Sequence, residues 1–213
     1  MIEIKNLTKK YGALTVYENF NLQIEEGQTT CILGESGSGK TTLLNCVANL
    51  TDYVGQIPAL KCAYVFQTPR LVPNLTVGGN LKLICKDDGK VDAILNRVHL
   101  YDKKNAYPKF LSGGQAQRAS IARAFLYDGD VILLDEPFNS LDLKLKREIS
   151  SLFSEIRQEK NATALFVTHD VDEALDLSHR IIIIKDGIIA CDVKTDGEDK
   201  DELRKRLISA LIA

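Results

Sequence analysis

A chain of 213 residues, 45% of them hydrophobic, can bury one sizeable core with at most one appended lobe. Its 27 basic and 29 acidic residues leave a net charge of −2, which excludes the strong electrostatic footprint of a nucleic-acid or anionic-membrane binder. The cysteines at 31, 46, 62, 85 and 191 form no C-x-x-C pair and no His/Cys cluster, so neither zinc nor a disulfide framework is expected, and a reducing cytosolic setting is.

Residues 1–28 read as short strands separated by Lys10-Tyr11-Gly12 and Glu26-Gly27, an antiparallel segment. Charges spread through Met1 to Leu14 leave no continuous apolar region of the signal-peptide kind. Thr29-Thr30-Cys31-Ile32-Leu33 is a β-branched, apolar run that reads as a buried strand, and a helical stretch is expected from Thr41 to Asn49. Between them, Gly34-Glu35-Ser36-Gly37-Ser38-Gly39-Lys40-Thr41 fits the phosphate-loop pattern G-x-x-x-x-G-K-S/T without a gap. Glycines let successive N–H groups turn toward phosphate oxygens, Lys40 brings a point charge to the β- and γ-phosphates, and the Thr41 hydroxyl suits Mg²⁺.

Residues 68–126 lose strand character and turn helical, with breakers at Pro69, Pro73, Gly78-Gly79 and Pro108. Within them lies Leu111-Ser112-Gly113-Gly114-Gln115. Ser112 followed three residues later by Gln115 is a capping box that starts a helix through Ala119, Ala122 and Phe125. Alone it means only a well-started helix. Two successive glycines also leave N–H groups bare at a helix start, and such an end attracts anions.

Val131-Ile132-Leu133-Leu134 reads as a central parallel strand ending in Asp135 and Glu136. Successive strand residues point in opposite directions, so Asp135 is assigned to Mg²⁺ through its water shell and Glu136 to the attacking water as general base. Ala164 to Val167 would end at the same sheet edge and deliver His169 there. His99 and His179 have no such setting and read as structural or surface residues. A hairpin is expected around Asp186-Gly187, followed by a terminal amphipathic helix with Leu203, Leu207, Ile208 and Leu211 packed on the core. Apolar runs such as Ile181 to Ile184 fall far below the ~18 to 20 residues that cross a bilayer.

Together these residues resemble the ATP-binding subunit of an ABC transporter, over nearly the whole chain. The resemblance rests on the loop at 34–41, the signature at 111–115, and Val131 to Pro137, with smaller matches at Gln67 (glutamine loop), Ser140-Leu141-Asp142 (D-loop), His169 (switch histidine) and Tyr11 (the aromatic that stacks on adenine). It implies an α/β fold of the P-loop NTPase, RecA-like kind. In it a mainly parallel core and an N-terminal antiparallel β segment (1–67 and 127–213) carry an inserted helical subdomain (68–126) as one domain. ATP would be held by Tyr11, Gly34, Glu35, Ser36, Gly37, Ser38, Gly39, Lys40, Thr41 and Thr42, and Mg²⁺ by Thr41, Gln67 and Asp135. Glu136, His169 and Gln67 would be catalytic. Asp142 would also be nucleotide-binding, and Ser112, Gly113, Gly114 and Gln115 would serve an ATP held by a second ATP-binding subunit, identical or not, in a head-to-tail dimer.

The stretch Gln67 to Val77 is similar to importer subunits of the nitrate, sulfonate and taurine group, and Tyr107-Pro108 fits importers as well. Exporter subunits usually carry Glu-Arg-Gly there, which Asn105 to Phe110 lacks. The resemblance therefore implies transmembrane permease partners contacting residues near 68–80, an external solute-binding protein in the same system, no nucleic acid, and a cytoplasmic location on the inner membrane face. An exporter subunit and a soluble ABC-type ATPase acting on DNA or ribosomes are the competing readings. The latter usually needs a coiled-coil insertion, a tandem cassette or a basic surface, and none is present in this sequence.

Overall fold

Five consecutive buried residues, Thr29–Leu33 (β3), form a central strand of the larger sheet in a computed structural model that describes residues 1–212. β3 pairs in parallel with Thr163–Val167 (β7) on one side and Arg180–Lys185 (β8) on the other. Val131–Asp135 (β6) extends the sheet beyond β7, and Cys62–Val65 (β5) extends it beyond β6, both in parallel. Ile188–Lys194 (β9) closes the far edge antiparallel to β8, giving the order β5-β6-β7-β3-β8-β9. Every residue of β3, β6 and β7 is buried, because both faces of a parallel sheet are covered. The same parallelism brings the C-terminal ends of these strands to one edge, where open α/β sheets bind ligands.

One sheet face is covered by helix Lys40–Val47 (α1) and a second sheet, of order β2-β1-β4. β1 (Ile2–Tyr11) and β2 (Leu14–Ile24) are ten and eleven residues long, so the antiparallel segment has longer strands than its charge-broken sequence suggests. They bury Ile4, Leu7, Phe20, Leu22 and Ile24 against Ile32, Leu43 and Leu44, and β4 (Val54–Gln56) pairs along β1.

The opposite face meets six helices. Val77–Lys82 (α2), Asp88–Arg97 (α3) and Gly113–Leu126 (α4) share one apolar cluster with the strands through Val77, Leu81, Val91, Leu95, Ile121 and Phe125. Both halves of the expected capping box form: Gln115 N donates to Ser112 Oγ, and Ser112 N donates to Gln115 Oε1 at 2.9 Å. Leu143–Lys160 (α5), Val171–Leu177 (α6) and Lys200–Ile212 (α7) complete this layer. In α7 Leu203 and Leu207 are buried, but Ile208 stands 42% exposed, contrary to its expected place in the stripe. It follows Leu207 by one residue, about 100° around a helix of 3.6 residues per turn, and so leaves the narrow buried face.

His179 Nδ1 accepts the Thr29 N–H at 3.2 Å, a structural role, while His99 lies on the surface beside Glu148. Among the described residues no helix is long and apolar enough to cross a membrane.

Candidate functional site

Where β3 ends, the chain turns through Gly34 to Gly39 into α1. Gly37 and Gly39 adopt φ of 88° and 99°, the left-handed region that glycine enters freely. A Cβ on Gly39 would come within 2.8 Å of both Val16 Cγ1 and Tyr17 Oη, so a larger residue there would force these side chains to shift. The Lys40 side chain is folded back into the loop, its ammonium donating to Gly34 O at 2.9 Å and Glu35 O at 2.6 Å. Burial lowers the Lys40 pKa, with Glu136 and Asp135 opposing that shift.

β6 delivers its carboxylates to the same edge in different directions. Asp135, 3% exposed, accepts the Thr41 hydroxyl at Oδ1, 3.0 Å away. Burial raises its pKa and the Glu136 charge adds to this, against the Thr41 hydrogen bond and Lys40. Glu136 leaves the strand at φ 45°, its N–H donating to Val167 O at 2.9 Å. Its Oε2 accepts Gln67 Nε2 at 3.0 Å and also Asn139 Nδ2, and its Oε1 lies 3.5 Å from His169 Nδ1. Two other loops and the turn that Glu136 itself begins thus converge on one carboxylate.

Tyr11, Thr42, Gln67 and Glu136 line a cleft of about 290 Å³ above the phosphate loop. Lys9 Nζ sits 4.4 Å from the Tyr11 ring centroid and is anchored to Thr51 Oγ1 and Asp52 O, so a cation backs the ring. The donors suit a nucleoside triphosphate. Ser38 Oγ is buried without a hydrogen-bond partner, and the Lys40 ammonium bonds only neutral carbonyls, which phosphate oxygens would replace with stronger, charge-assisted bonds. The donors also fit a hard cation held mainly by its ligand: Thr41 and Asp135 adjoin, and no cluster of three or more His, Cys, Asp or Glu able to hold a metal exists among the described residues.

Ser112, Gly113, Gly114 and Gln115 are not part of this cleft. They abut the segment after Glu136 instead: a Cβ on Gly114 would lie 3.0 Å from Ser140 O, while Gly113 faces open space. Asp142 caps α5, accepting the Leu145 N–H at 3.0 Å, and it too lies off the cleft. Sequence reasoning missed Asn139, and also Leu14 and Val16, which line the cleft from β2. The turn Glu136-Pro137-Phe138-Asn139 carried only a weak signal, a short amide in a proline turn.

A family model described as ABC transporter matches residues 17–139, more than half of the chain. The protein belongs to the ABC transporter family. It is similar to the aliphatic sulfonates import ATP-binding protein SsuB 1 of Paracoccus denitrificans (strain Pd 1222), with 38% identity over 225 residues covering 99% of this chain and 93% of that protein. The corresponding SsuB of Bacillus cereus (strain ZK / E33L) is 41% identical over 195 residues, 84% of this chain and 78% of the relative. Among solved structures, a dimeric post-hydrolysis state of the ATP-binding cassette MJ0796 bound to ADP and Pi superposes with a TM-score of 0.84 at 33% identity, covering 93% of this chain and all of that one. This chain is accordingly an ABC ATPase, with ATP as its ligand and the mostly parallel P-loop NTPase fold.

Proposed function

We propose that this ABC ATPase energises solute import through a membrane permease, hydrolysing ATP with Mg²⁺ at a site that a second ATP-binding subunit completes. The observation that carries this reading is the Glu136 carboxylate, gripped by Gln67, Asn139 and His169 beside the phosphate loop while the signature residues stand off the cleft.

Lys40 exchanges its bonds to Gly34 O and Glu35 O for the β- and γ-phosphates, and the loop N–H groups at the start of α1 take the remaining oxygens. Tyr11 stacks on the adenine. Thr41, Asp135 and Gln67 would hold Mg²⁺, which would supply charge neutralisation at the phosphates. Glu136 takes the proton of the attacking water, its orientation set by the Gln67 and Asn139 amides. His169, 3.5 Å from Glu136 Oε1, contacts the γ-phosphate and orients the attacking water or the base.

Ser112 to Gln115, with Asp142, meet the nucleotide of the partner subunit, so ATP closes a head-to-tail dimer and hydrolysis releases it. The dimeric MJ0796 structure and the importer names of the two relatives support this reading. A permease helix docks near residues 68–80, an external solute-binding protein feeds the permease, and the subunit sits on the cytoplasmic face. An organic sulfonate is the first solute to test. Purification of the tagged chain from gently solubilised membranes checks the transport role. A co-purifying permease supports it, whereas recovery only in the soluble fraction contradicts it and favours an ABC ATPase with a non-transport partner.

A further inference from the structure

The His169 side chain is 60% exposed, yet the backbone on both sides of it is locked. Thr168 is fully buried, and its N–H donates to Ile32 O at 3.3 Å. Its Oγ1 donates to Glu173 Oε2 at 2.6 Å and accepts the Asp170 N–H at 3.1 Å. Asp170 Oδ1 in turn caps α6, accepting N–H groups of Asp172 and Glu173 at 2.9 and 3.3 Å.

The two carboxylate oxygens left over converge on a single cation. Lys146 Nζ donates to Asp170 Oδ2 at 2.9 Å and contacts Glu173 Oε1. Glu173 is 5% exposed, so without Lys146 its charge would be buried with only the Thr168 hydroxyl to offset the loss of water. Burial by itself would lower the Lys146 pKa; the Glu173 and Asp170 carboxylates outweigh it and raise the pKa, keeping the ammonium charged.

Lys146 belongs to the first turn of α5, and its N–H bonds to Asp142 O at 2.8 Å. The segment it continues, Ser140 to Asp142, is the one that packs against Gly114 of the signature. One ammonium therefore joins the loop bearing His169 to the loop touching the signature helix. Neither Lys146 nor Glu173 lines the nucleotide cleft; both line a separate groove of about 650 Å³ among α5, α6 and α7.

We propose that Lys146 and Glu173 are positioning residues for hydrolysis, the bridge between them holding His169 against Glu136 and tying that placement to Ser140–Asp142. The proposal rests on the assignment of Glu136 and His169 to the hydrolytic site. A bridge that only stabilises helix packing would lower the melting temperature and leave turnover of the folded protein unchanged.

The test compares the purified full chain with Lys146→Met, Lys146→Arg and Glu173→Gln, with Glu136→Gln as control, all well below their melting temperatures. ATP affinity, kcat and the His169 ring chemical shifts are measured. Misplacing a catalytic group by about 1 Å costs up to ~100-fold, so kcat of Lys146→Met and Glu173→Gln is expected to fall at least about tenfold. ATP affinity stays within about twofold, because neither residue lines the cleft. Lys146→Arg restores most of the rate, and the His169 resonances shift in Lys146→Met and return in Lys146→Arg.

If Lys146→Met does not fold, Glu173→Gln decides, since its amide oxygen still accepts the Thr168 hydroxyl. Wild-type kcat in the folded Lys146→Met or Glu173→Gln variants, with Glu136→Gln inactive, overturns the positioning role alone. Turnover surviving in Glu136→Gln overturns the site assignment and this proposal with it.

Discussion

Gln67 Nε2 donates to Glu136 Oε2 at 3.0 Å, joining the loop after β5 to the end of β6. The same oxygen takes the Asn139 amide, so two neutral donors fix the carboxylate whose other oxygen faces His169.

Asn139→Ala removes one of these donors without touching the phosphate loop. The side chain is exposed, so the hydrogen bond contributes roughly 1 kcal/mol, equivalent to about a fivefold fall in kcat. KM for ATP should change less than kcat. Steady-state ATPase measurements check this, and a rise in KM at constant kcat would place Asn139 in nucleotide binding instead.

Ser112→Arg tests the location of the signature residues. Because Ser112 lies off the cleft of its own chain, nucleotide affinity of the monomer should stay within about threefold, apart from a helix-cap loss of about 1 kcal/mol in stability. ATP-dependent dimerisation should disappear when followed by size measurement. Normal dimers in the presence of ATP would remove the trans role of Ser112 to Gln115.

His179 gives a pH dependence whose sign is defined. Burial first, and the Arg157 charge second, hold its pKa below the ordinary 6.5 against the pull of Asp196, and the Thr29 N–H, which only an unprotonated Nδ1 can accept, also favours the neutral ring. Between 6.5 and the lower folded pKa the unfolded chain binds a proton that the native state refuses. The stability from neutral His179 is complete above that window and is lost as pH falls through it. His179→Gln should therefore melt earlier than wild type at about pH 7.5 and lose less on acidification to about pH 5. Parallel melting curves across this range would refute the assignment.

The strand, glycine loop and helix from Thr29 to Val47 were legible because each step follows a local rule: β-branched burial, left-handed glycines, and a helix that opens directly after the last of them. The capping box at Ser112 was legible for the same reason. What escaped was non-local or backbone-driven. The order β5-β6-β7-β3-β8-β9 joins strands far apart in sequence, and no spacing encodes which parallel neighbours meet. Alternation along β6 anticipated diverging carboxylates, yet Glu136 is aimed by its φ of 45°, a turn geometry rather than a strand one. Asn139 follows from that turn, and so its weak signal gained meaning only once the fold was known. Ile208 looked buried by helical spacing and is exposed by one step of helix rotation.

Phosphate release in a single turnover by Glu136→Gln, with ATP and Mg²⁺, tests the hydrolytic site most directly. Glutamine keeps the volume and the hydrogen-bonding reach toward Gln67 and Asn139 but cannot take a proton at neutral pH. Release should fall by about 100-fold or more, the usual worth of a general base, while ATP stays bound and dimers accumulate. Phosphate release at the wild-type rate would contradict the role given to Glu136.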